Sequence, residues 1–357
     1  MAPRRSKALL DALAIVAPGT PLREGLDRVV KASMGALIVV GDGPEVLNIC
    51  SGGFLLDAAF SPQRLSELAK TDGAIILAPD ASRIARANVH LVPNPNVPTT
   101  ETGTRHRTAE RVARSIGVPV ISVSEDMAVL TVYMHDVKHQ LDSIPAILNR
   151  CNQALQTLER YKSRLSEVAV SLTALEIEDL VTVRDVVNVL QRTEIVMRIA
   201  DEIERYLVEL GSDGRLVGLQ LRELMLGVED DRRQVVLDYF QPDASWNLEQ
   251  AMATLSDLET DKLLDPEVVA EALHLSGGTS DPEGSLQPRG YRILSRVPRL
   301  PTELVYRLVD EFHTLDKLMR ATADDLAAVD GVGDQWAVGI KDALSHIAES
   351  SILDRYS

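Results

Sequence analysis

The chain has 357 residues, 45% of them hydrophobic and 25% charged, with a formal net charge of −16. That length exceeds one ordinary core and sets an expectation of two or three domains. The acidic balance excludes wholesale coating of nucleic acid, because an acidic surface repels a polyanion, and leaves room only for local, salt-sensitive contact with DNA. Aromatic residues make up 4%, so Ala, Leu and Val must do the burying, which favours long helices and Val/Ile-rich strands over an aromatic-rich all-β fold. The two cysteines, Cys50 and Cys151, lie far apart with no metal-ligand spacing; buried free thiols in a reducing compartment are expected. No apolar run approaches the roughly 20 residues of a membrane span, and Met1 to Lys7 leads into an amphipathic segment, so a cytoplasmic protein with no membrane contact is expected.

In chain order, residues 6–17 and 22–33 read as short helices broken at Pro18-Gly19-Thr20-Pro21. Ala36–Val40 reads as a strand ending at the turn Gly41-Asp42-Gly43-Pro44, and Val46–Cys50 as a second strand closed by Ser51-Gly52-Gly53. Ser61-Pro62 opens a helix with Leu65, Leu68 and Ala69 on its apolar stripe. Ala74–Ala78 and residues 83–92 are expected strands, and Thr104–Ile116 a helix lined by Ala109, Val112, Ala113 and Ile116 and capped at Gly117. Val118–Val123 and Ala128–Tyr133 read as paired strands joined by Ser124-Glu125-Asp126-Met127.

The period then turns helical over Leu141–Val170, Ile177–Leu210, Val217–Gly227 and Arg232–Tyr239. Thirty such residues reach on the order of 45 Å, which suits a spacer or bundle. Ser276 to Ser285 is the clearest linker, and residues 286–357 a small helical unit. The expected architecture is an α/β N-terminal domain with a mixed central sheet flanked by helices (1–140), an all-α helical spine (141–285) and a small all-α C-terminal domain (286–357).

Two stretches carry chemistry. Asp72-Gly73-Ala74 offers one carboxylate on a glycine turn. Alone it is an ordinary entry to a strand; functionally, the carboxylate suits a divalent cation and the glycine lets main chain approach a ligand. Gly103-Thr104-Arg105-His106-Arg107-Thr108-Ala109-Glu110-Arg111 crowds basic residues at a helix N-terminus, where the macrodipole disfavours cations. A bound anion would repair that conflict. Arginine donates two hydrogen bonds to a phosphate at once, and Thr104 and Thr108 add hydroxyls. A metal-holding carboxylate and a phosphate-holding helix start are the two parts a nucleotide-transfer site needs.

Together these stretches resemble the diadenylate cyclase domain, whose hallmarks are a DGA turn and an RHR helix start. Near the C-terminus, Val329 to Ala337 resembles the helix-hairpin-helix pattern, with Gly331 and Gly333 permitting a tight turn whose amides face a DNA phosphate. The order of the whole chain is similar to that of the DNA integrity scanning proteins, a family of cyclic di-AMP synthases. The resemblance implies condensation of two ATP into cyclic di-AMP with release of pyrophosphate, Mg2+ or Mn2+ as cofactor, and a homo-octamer. Carried over by residue, Asp72 would hold the metal beside the attacking 3′-hydroxyl, Gly73 and Ala74 would line the nucleotide, and Leu91 would present backbone to adenine. Thr104, Arg105, His106, Arg107 and Thr108 would hold the triphosphate, with Ser124 near it. The product is a two-fold symmetric ring, so two loaded sites should meet face to face in an oligomer.

The C-terminal pattern departs from the family. Its expected first copy, Val297 to Pro301, has Arg299 and Pro301 in place of both glycines; in the second, Trp336 and Val338 stand where basic residues are common, leaving Lys341 nearby. Arg289, Arg292, Arg296 and Arg299 are expected to form a local basic strip. Weak, sequence-independent contact with DNA backbone follows, with branched or damaged structures suggested by the family. Two readings of other classes stand beside the enzyme: a DNA-binding scaffold whose N-terminal domain senses nucleotide without turnover, and a repair nuclease, for which no carboxylate cluster stands out.

Overall fold

The computed structural model describes residues 6–125, 127–240, 247–275 and 282–355, the last five as helical backbone only. Most of the expected 276–285 linker, Met1 to Arg5 and Asp126 lie outside these residues. The chain divides into two compact units, residues 1–153 with 202–220, and residues 154–201 with 221–357.

The first unit is built on an eight-stranded mixed sheet. In chain order it contains α1 (Lys7–Ile15), α2 (Pro21–Lys31), β1 (Ala36–Val40), α3 (Pro44–Asn48), β2 (Cys50–Ser51), β3 (Phe54–Ala59), α4 (Pro62–Leu68), β4 (Ala74–Leu77), β5 (Arg83–Leu91), α5 (Thr104–Ile116), β6 (Val120–Val123), β7 (Leu130–Met134) and β8 (Val137–Gln140). The strand order is β2-β5-β4-β1-β6-β7-β8, with β3 also on β5. β1 and β4 run parallel; the other pairings are antiparallel.

Both faces of the sheet are covered, which is why β1 and β4 are uninterrupted apolar runs. Alternate residues serve opposite cores: Ile38, Val40, Ile75 and Leu77 pack with Leu13, Leu26 and Leu65 of α1, α2 and α4, while Leu37, Val39 and Ile76 pack with Ala109, Val112 and Ala113 of α5. Ser6, Thr20 and Ser61 cap α1, α2 and α4 through their hydroxyls. Gly117 ends α5 in the left-handed conformation at φ 76°, as the sequence leads one to expect.

Three elements of this unit differ from expectation, among them β8, whose mostly exposed residues give no strand signal. Val46–Cys50 is not a strand: Gly43 is extended, Pro44 takes the first helical position and Glu45 the first turn, so α3 forms and only Cys50–Ser51 pairs with β5. β3 went unread because it offers no buried alternation. Phe54, Leu55 and Leu56 are all exposed, and Asp57 at φ 44° breaks the register.

Helices α6 (Ile144–Glu178) and α7 (Val183–Leu210) each contribute one end to each unit. In the first unit, Val208 packs on the sheet core and Glu209 meets His139 Nε2 at 2.9 Å. The junction falls later than the expected 170–177: Asp179 takes φ 56°, and Thr182 and Asp185 exchange side-chain and backbone hydrogen bonds to start α7.

The second unit adds α8 (Arg215–Met225), which begins in the first unit, then α9 (Val228–Tyr239), α10 (Leu248–Asp257), α11 (Thr260–Leu263) and α12 (Pro266–Ala272). It ends with α13 (Tyr291–Leu294), α14 (Thr302–Phe312), α15 (Leu315–Arg320), α16 (Ala323–Ala327) and α17 (Asp334–Arg355) around one core that includes Leu294, Leu308, Leu315 and Ile340. Among the described residues no helix is long and apolar enough to cross a membrane.

A buried charge pair joins three elements of this unit. Arg292 of α13 donates through Nε to Glu176 Oε1 of α6 at 3.0 Å and through Nη2 to the second carboxylate oxygen and to Thr173 at 2.9 Å. Tyr239 of α9 donates to the same Glu176 at 2.7 Å. Asp238 accepts the backbone N–H groups of Gly290, Tyr291 and Arg292. Arg292 is therefore structural. Arg289 donates to the Leu237 and Phe240 carbonyls, and Arg296 to Thr173 at 3.0 Å. The expected basic strip is thus dissolved, and Arg299 alone of the four remains exposed with no protein partner among the described residues.

Removing one member strands a buried charge, which costs about 3–5 kcal/mol. Glu176→Leu should destabilise the full chain by about that amount in urea unfolding, and the double variant Glu176→Leu, Arg292→Met should recover most of it.

Candidate active site

The topology brings four chain segments to one end of the sheet. β1 and β4 are parallel and start there; β5 and β6, antiparallel to them, finish there. The residues before β1 and β4 and those closing or following β5 and β6 therefore converge, and the N-terminus of α5 lies over the same end. Between them is a cavity of about 560 Å³ lined by Asp72, Gly73, Ala74, Leu91, Thr104, Arg105, His106, Thr108 and Ser124, a volume in the range of small-molecule sites. Nine of the ten expected nucleotide-site residues meet there. Arg107 does not.

Asp72 is exposed at the cavity and has no hydrogen-bond or ion-pair partner among the described residues. Gly73 lines the cavity and is also required by packing. A Cβ at Gly73 would lie 2.3 Å from the carbonyl carbon of Asn88 and 2.6 Å from the nitrogen of Val89. Leu91 buries its side chain in the core shared with α5, so its main chain is what it has to offer a ligand.

Gly103 precedes α5 in extended conformation and supplies no side-chain cap, so the first amides of the helix are unserved by the chain itself. Arg105 reaches across to β1: a Cβ on Gly35 would fall 2.0 Å from its Nη1, and Nη1 approaches the Val123 carbonyl at 3.5 Å. Gly35 was invisible as a site residue in the sequence, because only the sheet topology places it opposite Arg105. Thr71, His90 and Glu125 also line the cavity unannounced.

The remaining arginines of α5 serve the loop before it. Arg107 donates to the Glu101 and Thr102 carbonyls at 3.4 and 3.3 Å, Arg111 to Val97 at 3.1 Å, and Arg114 to Pro98 at 2.6 Å. Buried Glu110 completes this binding by accepting from the Thr99 hydroxyl and, at 3.1 Å, the Thr100 N–H.

His106 enters a chain of hydrogen bonds. Its Nδ1 lies 2.9 Å from the Tyr133 hydroxyl, which donates to Glu101 Oε1 at 3.1 Å; Lys138 Nζ holds the same oxygen at 2.6 Å. Burial, reinforced by Lys138 and Arg105 against the opposing Glu101, holds the His106 imidazole below its ordinary value. Partial burial works to raise Glu101, but Lys138 and the Tyr133 hydroxyl prevail and its carboxyl is lowered. Burial and the neighbouring Glu101 push the Tyr133 phenol up, so it keeps its proton.

The donor set fits a hard cation with one protein carboxylate. Among the described residues no group of three or more His, Cys, Asp or Glu side chains is placed to enclose a metal. Asp72 would therefore share such an ion with phosphate oxygens and water, the usual way Mg2+ is held in phosphoryl-transfer sites.

In the second unit, Gly331 adopts φ 84°, and a Cβ there would meet Arg307 Nη1 at 2.6 Å; Gly333 has open space around it. Lys341 Nζ donates to the Met319 and Ala321 carbonyls at 2.8 Å each, closing the end of α15. Arg299 adopts φ 61°, the left-handed conformation that Gly331 also takes at the equivalent turn.

Residues 23–137 match the family described as DisA bacterial checkpoint controller nucleotide-binding, and residues 141–281 match the DisA bacterial checkpoint controller linker region. The DNA integrity scanning protein DisA of Parafrankia sp. is 57% identical over 345 residues, covering 96% of each chain. Its counterpart in Kineococcus radiotolerans is 54% identical over 351 residues, covering 98% of each, and that of Streptomyces coelicolor 52% identical, covering 96% of this chain and 93% of the relative. With its nucleotide-binding and linker regions both matched and its relatives alike over nearly the whole length, this chain belongs to the DisA family of DNA integrity scanning proteins.

Proposed function

We propose that the chain is a diadenylate cyclase that condenses two ATP into cyclic di-AMP with release of two pyrophosphates. The observation that carries this reading is the meeting of an unpaired carboxylate, Asp72, with the uncapped, arginine-bearing start of α5 across one cavity. In each half-reaction a 3′-oxygen attacks an α-phosphorus in line while the bond to the β-phosphate breaks. Mg2+ or Mn2+ held at Asp72 would lower the proton affinity of the 3′-hydroxyl. Arg105, the free amides of α5 and the hydroxyls of Thr104 and Thr108 would take the charge of the departing pyrophosphate, with Ser124 beside them. Gly73, Ala74 and Leu91 would border the nucleoside.

One cavity accommodates one half of a symmetric product, so turnover requires two copies whose sites face each other. The reading includes a homo-octamer, the family's implied assembly, to be measured by light scattering. It also includes weak, sequence-independent contact of the C-terminal domain (286–357) with DNA, branched or damaged, whose occupancy alters turnover through the helical spine (141–285). A cut near Leu141 would remove Val208 and Glu209 from the first unit, so the coupling is best tested in the full chain.

Incubating the oligomer with ATP and Mn2+ should give a cyclic dinucleotide and pyrophosphate by mass analysis. ATP bound without turnover would instead favour a nucleotide-sensing scaffold. Asp72→Asn should lower kcat by on the order of a hundredfold or more while the melting temperature holds.

The two arginines flanking His106 should separate. Arg105→Met is expected to cut kcat/KM by about ten- to a hundredfold, the loss of a charged hydrogen bond, whereas Arg107→Met should stay within about fivefold. Equal losses from both would mean that Arg107 also reaches the phosphates.

For DNA, Arg299→Ala should reduce the slope of log affinity against log salt by about one. Lys341→Met should lower the melting temperature of the chain and leave that slope unchanged.

A further inference from the structure

We propose that His106 serves the reaction as the neutral acceptor of the attacking hydroxyl's proton, fixed in one tautomer by Tyr133, Glu101 and Lys138. This rests on the cyclase reading above and goes beyond it, since the resemblance implies only that His106 holds the triphosphate.

The direction of each hydrogen bond follows from the chain's end. Glu101 is bound by Lys138 at 2.6 Å and has no proton to give, so Tyr133 must donate to it across 3.1 Å. The phenolic oxygen then has only lone pairs to offer His106, and the 2.9 Å contact requires a proton on Nδ1. A neutral imidazole protonated at Nδ1 carries its free lone pair on Nε2. The ring lines the cavity, and Nε2 has no hydrogen-bond partner among the described residues. Burial, aided by Lys138 and Arg105, outweighs Glu101 and disfavours a second proton on the ring.

Other titratable groups border the same space. Asp72 is assigned to the metal, and His90 and Glu125 are exposed with no partner to orient them among the described residues. His106 is the one whose tautomer is set by a built chain. The step balances: the O3′–H bond breaks and its proton passes to Nε2, O3′ bonds to the α-phosphorus, and the bond to the β-phosphate breaks with its electron pair leaving on pyrophosphate. The imidazolium then returns its proton to water. Tyr133, Glu101 and Lys138 are positioning residues.

The test uses the full-length oligomer with ATP and Mn2+ from about pH 5 to about pH 8. The expected kcat falls on the acid side with a midpoint below the ordinary histidine value of about 6.5. Lys138→Met removes a cation that disfavours the imidazolium and should move that midpoint up; Glu101→Gln removes an anion that favours it and should move the midpoint down. Tyr133→Phe should lower kcat by about tenfold with little change in the KM for ATP. A second readout needs no turnover: the pH dependence of diethyl pyrocarbonate modification at His106, followed by mass spectrometry, should give midpoints shifting in the same two directions.

Modification midpoints that ignore both substitutions overturn the chain. Midpoints that shift while the kcat limb stays fixed, or a limb that moves with His90→Asn instead, overturn the acceptor role. An absence of product from wild-type protein overturns the cyclase reading and the acceptor role with it, while the modification series still decides how His106 is held.

Discussion

The site depends on how closely β4 begins against β5. Gly73 lies directly on the main chain of Asn88 and Val89, closer than any side chain would permit, and Asn88 itself adopts a positive φ of 54° to pass it. Asp72 is the residue before this contact, so the main chain that carries its carboxylate is placed by main chain on main chain. A Cβ at Gly73 would have to push the two strands apart, and the turn carrying Asp72 would move with β4. The glycine of the DGA turn therefore reads as a mechanical part: it fixes the backbone of the turn against a sheet that is itself buried on both faces.

The opposite wall is fixed by electrostatics. Cations at the start of a helix oppose the macrodipole, and α5 has Arg105 and Arg107 there with His106 between them. The structure relieves most of this conflict internally. Arg107, Arg111 and Arg114 donate to carbonyls of the preceding loop, and Glu110 ties the same loop from below. Burial, with Lys138 and Arg105 against the opposing Glu101, holds the His106 imidazole below its ordinary value. One guanidinium, that of Arg105, is left at the cavity with only a long contact to the Val123 carbonyl. The loop is thereby tied to α5, and the unserved positive potential is concentrated where Arg105 and the first amides of α5 meet.

Much of this was legible in the sequence. The apolar runs of β1 and β4, the full extent of α5 with its glycine cap, and the two chemical stretches at Asp72 and Thr104 were all readable because each is a local pattern. What escaped was set by partners distant in sequence. Gly35 matters only because Arg105 occupies the space its side chain would fill. The role of Arg107 could not be separated from that of Arg105 when both are arginines on one helical turn, since the difference lies in the carbonyls of Glu101 and Thr102. Arg292 looked like part of a basic surface because its partner, Glu176, is over a hundred residues away. Short elements failed for a different reason: over the five residues of α3, helical and strand periods cannot be told apart.

The turns at Arg299 and Gly331 show how a motif's shape and its chemistry can part company. Arg299 stands in place of glycine in the first copy, yet it keeps the left-handed turn that Gly331 keeps in the second. Holding a non-glycine residue there costs about 1 kcal/mol or more, and the packed core around Leu294 and Leu308 is what enforces it. The second hairpin retains its glycine but has Asp330, whose exposed carboxylate is engaged by Arg307, and Asp334 at the first position of α17. Carboxylates there oppose a phosphate approaching the amides that follow the turn. On a chain of net charge −16, attraction to a polyanion has to come from cations left free locally. Arg299 is such a cation, while Lys341 spends two of its three donors on carbonyls at the end of α15. The turn at Arg299 therefore carries the more positive local charge of the two, although it has lost its glycines.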